Sequence, residues 1–243
     1  MEKRLMKAAS MLVMVLMLLG IAYAVTEAEE AHAAAKGLVK KGGYIYYYKN
    51  GRRIKNKSVK VKGKWYYFSA KGRGFRSVKD KTGNKAVAKV IDNVKFKKGM
   101  KRSTKLKKCY RYIIKMSYLI ETAPNTSVAK WYYPAAKRMA DNKGGKCYGF
   151  ASLTAACAKA MGYKGVILHK GLAKRTQRAP MTEHCWVTIN SKVLDASYDN
   201  SYWYRTGQPK TPVYKFFLKT YDAIKLNPDN FKVTYKDKDT YIL

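Results

Sequence analysis

Cys147 has the surroundings of a reactive thiol. It follows the flexible turn Gly144-Gly145-Lys146 and opens an alanine-rich segment that is predicted to be a buried helix ending at Gly162. A helix N-terminus and an adjacent lysine both favour thiolate over thiol, and the thiolate is the nucleophilic form of cysteine. The sequence therefore offers a candidate nucleophile, whose role depends on the partners that the fold brings to it.

His184 and Asp195 are the candidate partners of this cysteine, and they lie in a predicted β-hairpin. The two strands, 184–189 and 192–195, alternate in side-chain character and are joined by a turn at Asn190-Ser191. The resulting register pairs Ile189 with Lys192, Trp186 with Asp195, and His184 with Ser197. Asp195 then becomes the diagonal neighbour of His184 on one face, at a separation of roughly 7 Å that an imidazole and a carboxylate can bridge.

A thiolate, an imidazole and a carboxylate together indicate nucleophilic catalysis. Cys147 would attack an acyl carbon, His184 would carry the proton, and Asp195 would hold the imidazole in one tautomer. Should Asp195 not reach the histidine, Asp199 is the next candidate. This chemistry needs no metal or cofactor, and the His and Cys spacings match no zinc-binding pattern. The other three cysteines fit apolar positions and are predicted to be buried free thiols: Cys109, Cys157 and Cys185.

Helices and strands must bring these three side chains together, and the pattern after about residue 82 is typical of an α+β domain. Ser103 is the predicted N-cap of a helix with an apolar stripe from Leu106 to Tyr118, and a second helix is predicted over 128–140. The segment from Lys170 to Glu183 is predicted to be a mobile loop over the cleft. Further strands are predicted at 202–204, 213–218 and 231–235.

The chain begins with the features of a secretory signal peptide. Lys3, Arg4 and Lys7 precede an apolar run from Met11 to Val25, and Ala22-Tyr23-Ala24 is a small-x-small cleavage site. We therefore predict a signal peptide at 1–24, a linker at 25–35, and no integral membrane segment after cleavage. The alternative is an uncleaved anchor, but the run is shorter than the roughly 18 residues that a spanning helix needs.

A basic, aromatic segment at 36–79 differs in composition from the rest of the chain. The whole protein has 51 Lys and Arg against 15 Asp and Glu, a formal net charge of +36, and no acidic residue lies between 31 and 79. The block from Gly43 to Tyr48 recurs 20 residues later as Gly63 to Phe68, which indicates a repeated β-hairpin. Lysines outnumber arginines by 40 to 11, which argues against nucleic-acid recognition, because bidentate phosphate and guanine contacts favour arginine.

This segment resembles the cell-wall-binding (choline-binding type) repeats of Gram-positive surface proteins. The resemblance rests on the spacing of Gly37 and Gly43 and on the block Trp65-Tyr66-Tyr67-Phe68. It implies binding to cell-wall polymers, in which aromatic faces stack on wall sugars and lysines attract anionic polymers. The residues selected for this role are Tyr44, Tyr46, Tyr48, Trp65, Tyr66 and Phe68. The alternative is a packed hairpin appendage without a ligand.

The remainder of the chain, 80–243, resembles the transglutaminase-like (transglutaminase-core) superfamily of papain-like cysteine enzymes. The family pattern is Gly-x-Cys at a buried helix, His-x-Trp on a strand, and Asp on the next strand. Gly145-Lys146-Cys147, His184-Cys185-Trp186 and Asp195 match it in order. The resemblance implies a papain-like α+β core with helices packed on an antiparallel sheet, and acyl transfer by Cys147, His184 and Asp195.

Together the two resemblances imply a secreted, cell-wall-associated cysteine enzyme that hydrolyses peptide or amide bonds of a peptide or protein substrate through a thioester. Two alternatives stay open: a transglutaminase that crosslinks glutamine to lysine, and a non-catalytic wall-binding scaffold or adhesin. The acceptor of the acyl group, water or an amine, separates the two enzymes. No cofactor, metal or nucleic acid is expected to take part.

Overall fold

The computed structural model describes residues 36–174, 179–225 and 234–243. These residues form six α-helices and mainly antiparallel sheets, which confirms the predicted α+β class. The predicted signal peptide and linker, 1–35, lie outside the described residues. Within the described ranges, no helix is both long enough and apolar enough to cross a membrane.

Two β-hairpins build most of a six-stranded N-terminal sheet. Each closes with a two-residue turn, Gly42-Gly43 or Lys62-Gly63, in which both residues have positive φ and so match the twist of the flanking strands. One hairpin therefore corresponds to one 20-residue period of the sequence. The strands are β1 (Gly37–Lys41), β2 (Tyr44–Lys49), β3 (Arg52–Arg53), β4 (Lys57–Val61), β5 (Lys64–Phe68) and β6 (Gly74–Arg76). Strand β6 lies between β2 and β5 and pairs with both.

The N-terminal sheet packs directly on the helical part of the chain. The hydroxyl of Tyr44 donates to the Val94 carbonyl at 2.5 Å and accepts from the Phe96 N–H at 3.0 Å. The hydroxyl of Ser69 donates to the Asp92 carboxylate at 2.6 Å. Buried side chains of the sheet and of the helices form one continuous apolar core. The predicted domain boundary therefore separates sheet from helix without dividing the core.

The central helix of the rest of the chain is almost completely buried, and other elements pack around it. Five of its 14 residues are alanine, which lets neighbouring helices approach closely. It stops near the predicted position, with Gly162 at φ 82° just past its end. The helices of this region are α1 (Lys81–Asn93), α2 (Arg102–Ile113), α3 (Tyr132–Asn142) and the central helix α4 (Cys147–Ala160).

Two helix starts differ from the sequence prediction. Helix α2 begins at Arg102 with Lys101 at the N-cap, so Ser103 lies inside the first turn. Helix α3 begins at Tyr132, later than predicted, and Pro134 falls in its first turn, where no intrahelical hydrogen bond is lost. A short parallel pair brackets α3: β7 (Ser117–Tyr118) and β8 (Gly144–Gly145).

A five-stranded antiparallel sheet carries the second half of the chain. Its strands are β9 (Val166–Lys174), β10 (Thr182–Ile189), β11 (Lys192–Leu194), β12 (Phe217–Lys219) and β13 (Thr234–Ile242). They lie in the order β12-β11-β10-β9-β13, so β13 forms the edge next to β9. The central helix α4 packs against β9 and β10. Two further helices follow β11 and β12, respectively: α5 (Ala196–Arg205) and α6 (Tyr221–Lys225).

Three strands predicted after residue 201 differ from those observed. The aromatic segment 202–204 is helical, because it belongs to α5, so the strand prediction there is wrong. Of 213–218 only the last two residues are in β12. The predicted strand 231–235 overlaps β13 from Thr234 onward, while 231–233 lie outside the described residues.

Both ends of the segment 170–183 are paired strands, so its prediction as a loop is wrong for 170–174 and 182–183. Strand β9 continues to Lys174, β10 begins at Thr182, and the two pair in continuous register. Arg175 and Arg178, two of the loop residues, lie outside the described residues. This strand pairing holds the backbone of His184 in place.

Candidate active site

Cys147 is the first residue of α4, as the sequence predicts. It is 5% exposed, and Lys146 before it is the N-cap. The backbone N–H of Lys146 donates to Oε1 of Glu121 at 3.1 Å, which fixes the turn that leads into the helix. The thiol therefore lies at the positive end of the helix dipole.

His184 and Asp195 are in direct contact. Nε2 of His184 donates to Oδ2 of Asp195 at 2.6 Å, and both side chains are buried. This bond leaves the other ring nitrogen, Nδ1, unused by Asp195, and Cys147 is near enough to the imidazole to raise the pKa of His184. The ring of Tyr198 stacks on the imidazole with centroids 4.1 Å apart. The structure thus brings together the three side chains that the sequence selects.

The hairpin that carries His184 follows the predicted register only part of the way. Ile189 pairs with Lys192 as predicted, but β11 ends at Leu194. The pairs predicted beyond it, Trp186 with Asp195 and His184 with Ser197, do not form. The chain turns at Asp195 because its carboxylate caps α5, where Oδ1 accepts from the Tyr198 N–H at 3.0 Å. The helix cap, rather than a diagonal strand pair, places this carboxylate beside the imidazole.

The charge on His184 follows from its surroundings. Burial alone lowers the pKa of His184, but the charge and hydrogen bond of Asp195, together with the effect of nearby Cys147, outweigh burial and raise the pKa to about 9. The imidazole is therefore protonated at neutral pH. An imidazolium beside a cysteine stabilises the thiolate and holds the proton that acyl transfer requires.

Asp199, the alternative carboxylate, has a different position. It lies one helical turn after Asp195, and it accepts from the Tyr110 hydroxyl at 2.6 Å and from the Lys215 N–H at 2.7 Å. Burial raises the pKa of Asp199 to about 7 against the opposing effect of these hydrogen bonds. These bonds tie α5 to α2 and to the segment before β12. Asp195, and not Asp199, is the carboxylate in contact with His184.

Sequence reasoning missed two contributions of β13 to this region. The Tyr235 hydroxyl donates to Oδ2 of Asp195 at 2.9 Å. A second His–Asp pair lies on the same sheet, with Nδ1 of His169 2.9 Å from Oδ1 of Asp237. Burial lowers the pKa of His169, although Asp237 acts in the opposite direction. No local pattern signals either contact, because both depend on β13 pairing with β9.

A cavity of about 300 Å³ opens beside His184. The rings of Tyr118 and Tyr204 line it, and Glu183 and Arg205 bring opposite charges to it. This volume lies at the lower end of the range of small-ligand pockets. A peptide side chain can therefore be accommodated next to the imidazole.

The other three cysteines are buried free thiols, as predicted: Cys109, Cys157 and Cys185. Cys185 follows His184 directly, but successive residues of a strand face opposite sides of the sheet. Burial raises the pKa of the Cys185 thiol. Across the described parts of the chain, His, Cys, Asp and Glu side chains form no group of three or more that could hold a metal ion.

The aromatic residues selected in the N-terminal sheet divide into two groups. Tyr44, Tyr48 and Phe68 are buried, so their faces pack the sheet and are not available to a polymer. Trp65 is 44% exposed. Tyr46 and Tyr66 are half-buried, and each carries an arginine guanidinium over its ring.

A second cavity, of about 480 Å³, lies against the N-terminal sheet. Trp65 lines it together with Tyr47, an aromatic residue that the sequence analysis did not select. Four lysines also line it: Lys36, Lys49, Lys57 and Lys60. The cavity thus combines an exposed indole with a cluster of positive charge.

Comparison with known proteins does not assign this chain to a family. No family model matches the chain, and no curated protein is significantly similar to it. What these side chains do has to be inferred from their own positions and chemistry.

Proposed function

We propose that this protein is a secreted, cell-wall-associated cysteine enzyme with a papain-like, transglutaminase-like core that hydrolyses peptide or amide bonds. The observation that carries the proposal is the buried imidazole of His184, which Asp195 holds at 2.6 Å and whose pKa the neighbouring Cys147 also raises. A nucleophile near a proton carrier that is held by an orienting carboxylate is the arrangement that acyl transfer needs. Their order along the chain follows the motif of the family that the sequence resembles, although Asp195 caps a helix just after the second strand and does not lie in that strand.

The proposed reaction has two steps. The Cys147 thiolate attacks the amide carbonyl carbon, the carbon–nitrogen bond breaks, and the proton on His184 passes to the leaving amine. Water then attacks the thioester, His184 takes up the proton of that water, and the carboxylic acid leaves as the sulfur is released. The backbone N–H of Cys147 is the natural donor to the oxyanion in both steps, and Asp195 keeps the imidazole in position.

A glutamine-containing peptide, offered with and without a labelled primary amine, tests this function. The wild type is compared with Cys147→Ala and with Cys185→Ala, a matched control that removes a buried thiol one residue from His184. We expect peptide cleavage or ammonia release by the wild type and by Cys185→Ala, and none by Cys147→Ala. Incorporation of the amine dependent on Cys147 would instead identify a crosslinking transglutaminase. Equal behaviour of the wild type and Cys147→Ala would identify a non-catalytic scaffold and reject the enzyme.

We also propose that the N-terminal hairpins form a repeat module that binds an anionic cell-wall polymer. The supporting observation is the cavity in which exposed Trp65 is surrounded by four lysines, in a segment that contains no acidic residue. An indole face stacks on a sugar ring, and lysines attract phosphate or carboxylate groups of the same polymer.

Replacing Trp65 by alanine is expected to weaken retention on purified cell wall by about fivefold, the size of one lost aromatic contact. The matched control is Val213→Ala, which removes exposed apolar atoms far along the chain from these hairpins and outside the cavity beside His184. Retention is measured by sedimentation with the wall at two salt concentrations, and higher salt should weaken the binding of both variants. Equal retention of the two variants, or no effect of salt, would reject this binding surface.

A further inference from the structure

Tyr235 reaches the carboxylate of the site from a part of the chain 40 residues away from Asp195. Its hydroxyl donates to Oδ2 at 2.9 Å, and this is the same oxygen to which Nε2 of His184 donates at 2.6 Å. Oδ1 accepts from the Ser197 hydroxyl and from the Tyr198 N–H, each at 3.0 Å. With two donors on each oxygen, the buried carboxylate is fixed in both position and orientation.

The close approach of β13 to β9 puts Tyr235 where it can make this bond. Tyr235 pairs with Ala173, whose small side chain leaves room on that face of the sheet. Two residues away, a Cβ on Gly171 would lie only 2.1 Å from the Lys236 carbonyl oxygen, so this approach requires glycine. The tyrosine ring packs against Trp186 with centroids 4.6 Å apart. The register and the packing both aim the hydroxyl at Asp195.

We infer that Tyr235 is a positioning residue of this site, which holds Asp195 and thereby sets how strongly Asp195 holds the proton on His184. The inference rests on the roles proposed above for Cys147, His184 and Asp195. Tyr235 does not bond to the reacting sulfur, and it acts through the carboxylate. Because two donors share Oδ2, the tyrosine hydroxyl withdraws part of the negative charge that would otherwise attract the imidazolium.

The titratable and charged groups around the His184 ring come from four elements. Cys147 belongs to α4, Glu183 to β10, Tyr235 to β13, and Asp195, Tyr198 and Arg205 to α5 and its N-cap. Changing Tyr235 to phenylalanine removes one oxygen atom and leaves the ring in place. The other groups keep their side chains, so a change in the titration of His184 reports the lost hydroxyl.

Titration of the histidine ring resonances by NMR tests the inference without any substrate. A His184→Gln variant assigns the resonance, and His169 on the same sheet is an internal reference. We expect Tyr235→Phe to raise the His184 midpoint by roughly half a pKa unit or more, because Oδ2 then attracts the imidazolium more strongly. Site-specific 3-fluorotyrosine at position 235 makes the hydroxyl a stronger donor and should move the midpoint in the opposite direction.

The matched control is Tyr221→Phe, which removes a hydroxyl from the same aromatic cluster. Tyr221 accepts from Nε1 of Trp186 at 3.0 Å, so this variant disturbs the packing without removing a bond to Asp195. We expect it to leave the His184 midpoint unchanged. In an amide-hydrolysis assay, Tyr235→Phe should lower kcat about tenfold with KM unchanged, as for a lost hydrogen bond to a charged group.

The two readouts separate this inference from the proposed reaction. A shifted His184 midpoint in a protein that hydrolyses no amide would reject the hydrolysis and still support the role of Tyr235 in holding Asp195. An unchanged or lowered midpoint in Tyr235→Phe would overturn the inference, whatever the activity. Equal shifts in Tyr235→Phe and Tyr221→Phe would also overturn it, because they would show a packing effect.

Discussion

Replacing Asp195 by asparagine is expected to lower amide hydrolysis by about 10³- to 10⁴-fold, because the imidazole would lose the group that fixes its tautomer and balances its charge. All four bonds to the Asp195 carboxylate come from donors, two on each oxygen. An asparagine has a single acceptor oxygen, so its amide N–H₂ would face two donors whichever way the side chain is turned. The change should also destabilise the fold by about 3–5 kcal/mol, the cost of breaking a buried ion pair.

Asp237→Asn is the matched control for this variant. Asp237 is also the partner of a strand histidine, at 2.9 Å, but its side chain is 47% exposed and its pair is His169. We expect nearly unchanged hydrolysis and a loss of at most about 1 kcal/mol in unfolding free energy. Steady-state kinetics and urea unfolding of both variants measure these effects. Similar activities of the two variants would show that Asp195 has no special part in the reaction.

The local parts of the site could be predicted from the sequence. A cysteine after a glycine turn, followed by an alanine-rich segment, predicts the start of α4 at Cys147 correctly. The Asn190-Ser191 turn gives the correct pairing of Ile189 with Lys192. Both features depend on neighbours within a few residues, which is the range over which turn chemistry and side-chain spacing act.

The prediction fails where a side-chain bond overrides a propensity. The alternation of the preceding residues predicts a strand at Asp195, yet its carboxylate caps a helix that continues through Trp203. An aspartate side chain that accepts from the backbone N–H three residues later is a signal for the start of a helix. Here this signal outweighs the β propensity of the aromatic residues that follow.

The contacts of β13 could not be predicted by any local rule. Tyr235 reaches the site, and Asp237 reaches His169, only because the last strand pairs with β9, on the opposite edge from β12. Strand order is set by packing of the whole sheet, and several orders are compatible with the same alternation of side chains. The sequence therefore indicates the reacting groups, while the groups that hold them come from the tertiary fold.

The stability of the protein should fall as the pH rises from 6.5 to 9, through the titration of His184. In the folded chain the pKa of His184 is raised from 6.5 to about 9, because Asp195 and Cys147 outweigh the opposing effect of burial. Between these two values the folded chain keeps a proton that the unfolded chain has released, so raising the pH favours unfolding. The full stabilisation is present below pH 6.5, and its loss amounts to about 3 kcal/mol when the folded pKa has been passed.

Urea unfolding at intervals between pH 7.5 and 8.5 measures this slope, with His184→Gln as the variant that should flatten it. The window excludes the main effect of Asp199, whose pKa is raised from 3.8 to about 7 by burial and which has released most of its stabilising proton by pH 7.5. It also excludes His169, whose lowered pKa places its titration below 6.5. The window also ends below the pH range in which the buried thiols of Cys157 and Cys185 matter. Because the pKa of each thiol is raised in the folded chain, they too would lower the stability as the pH rises further. A wild-type stability that stays level in this window, or a slope that survives in His184→Gln, would contradict a buried imidazolium held by Asp195.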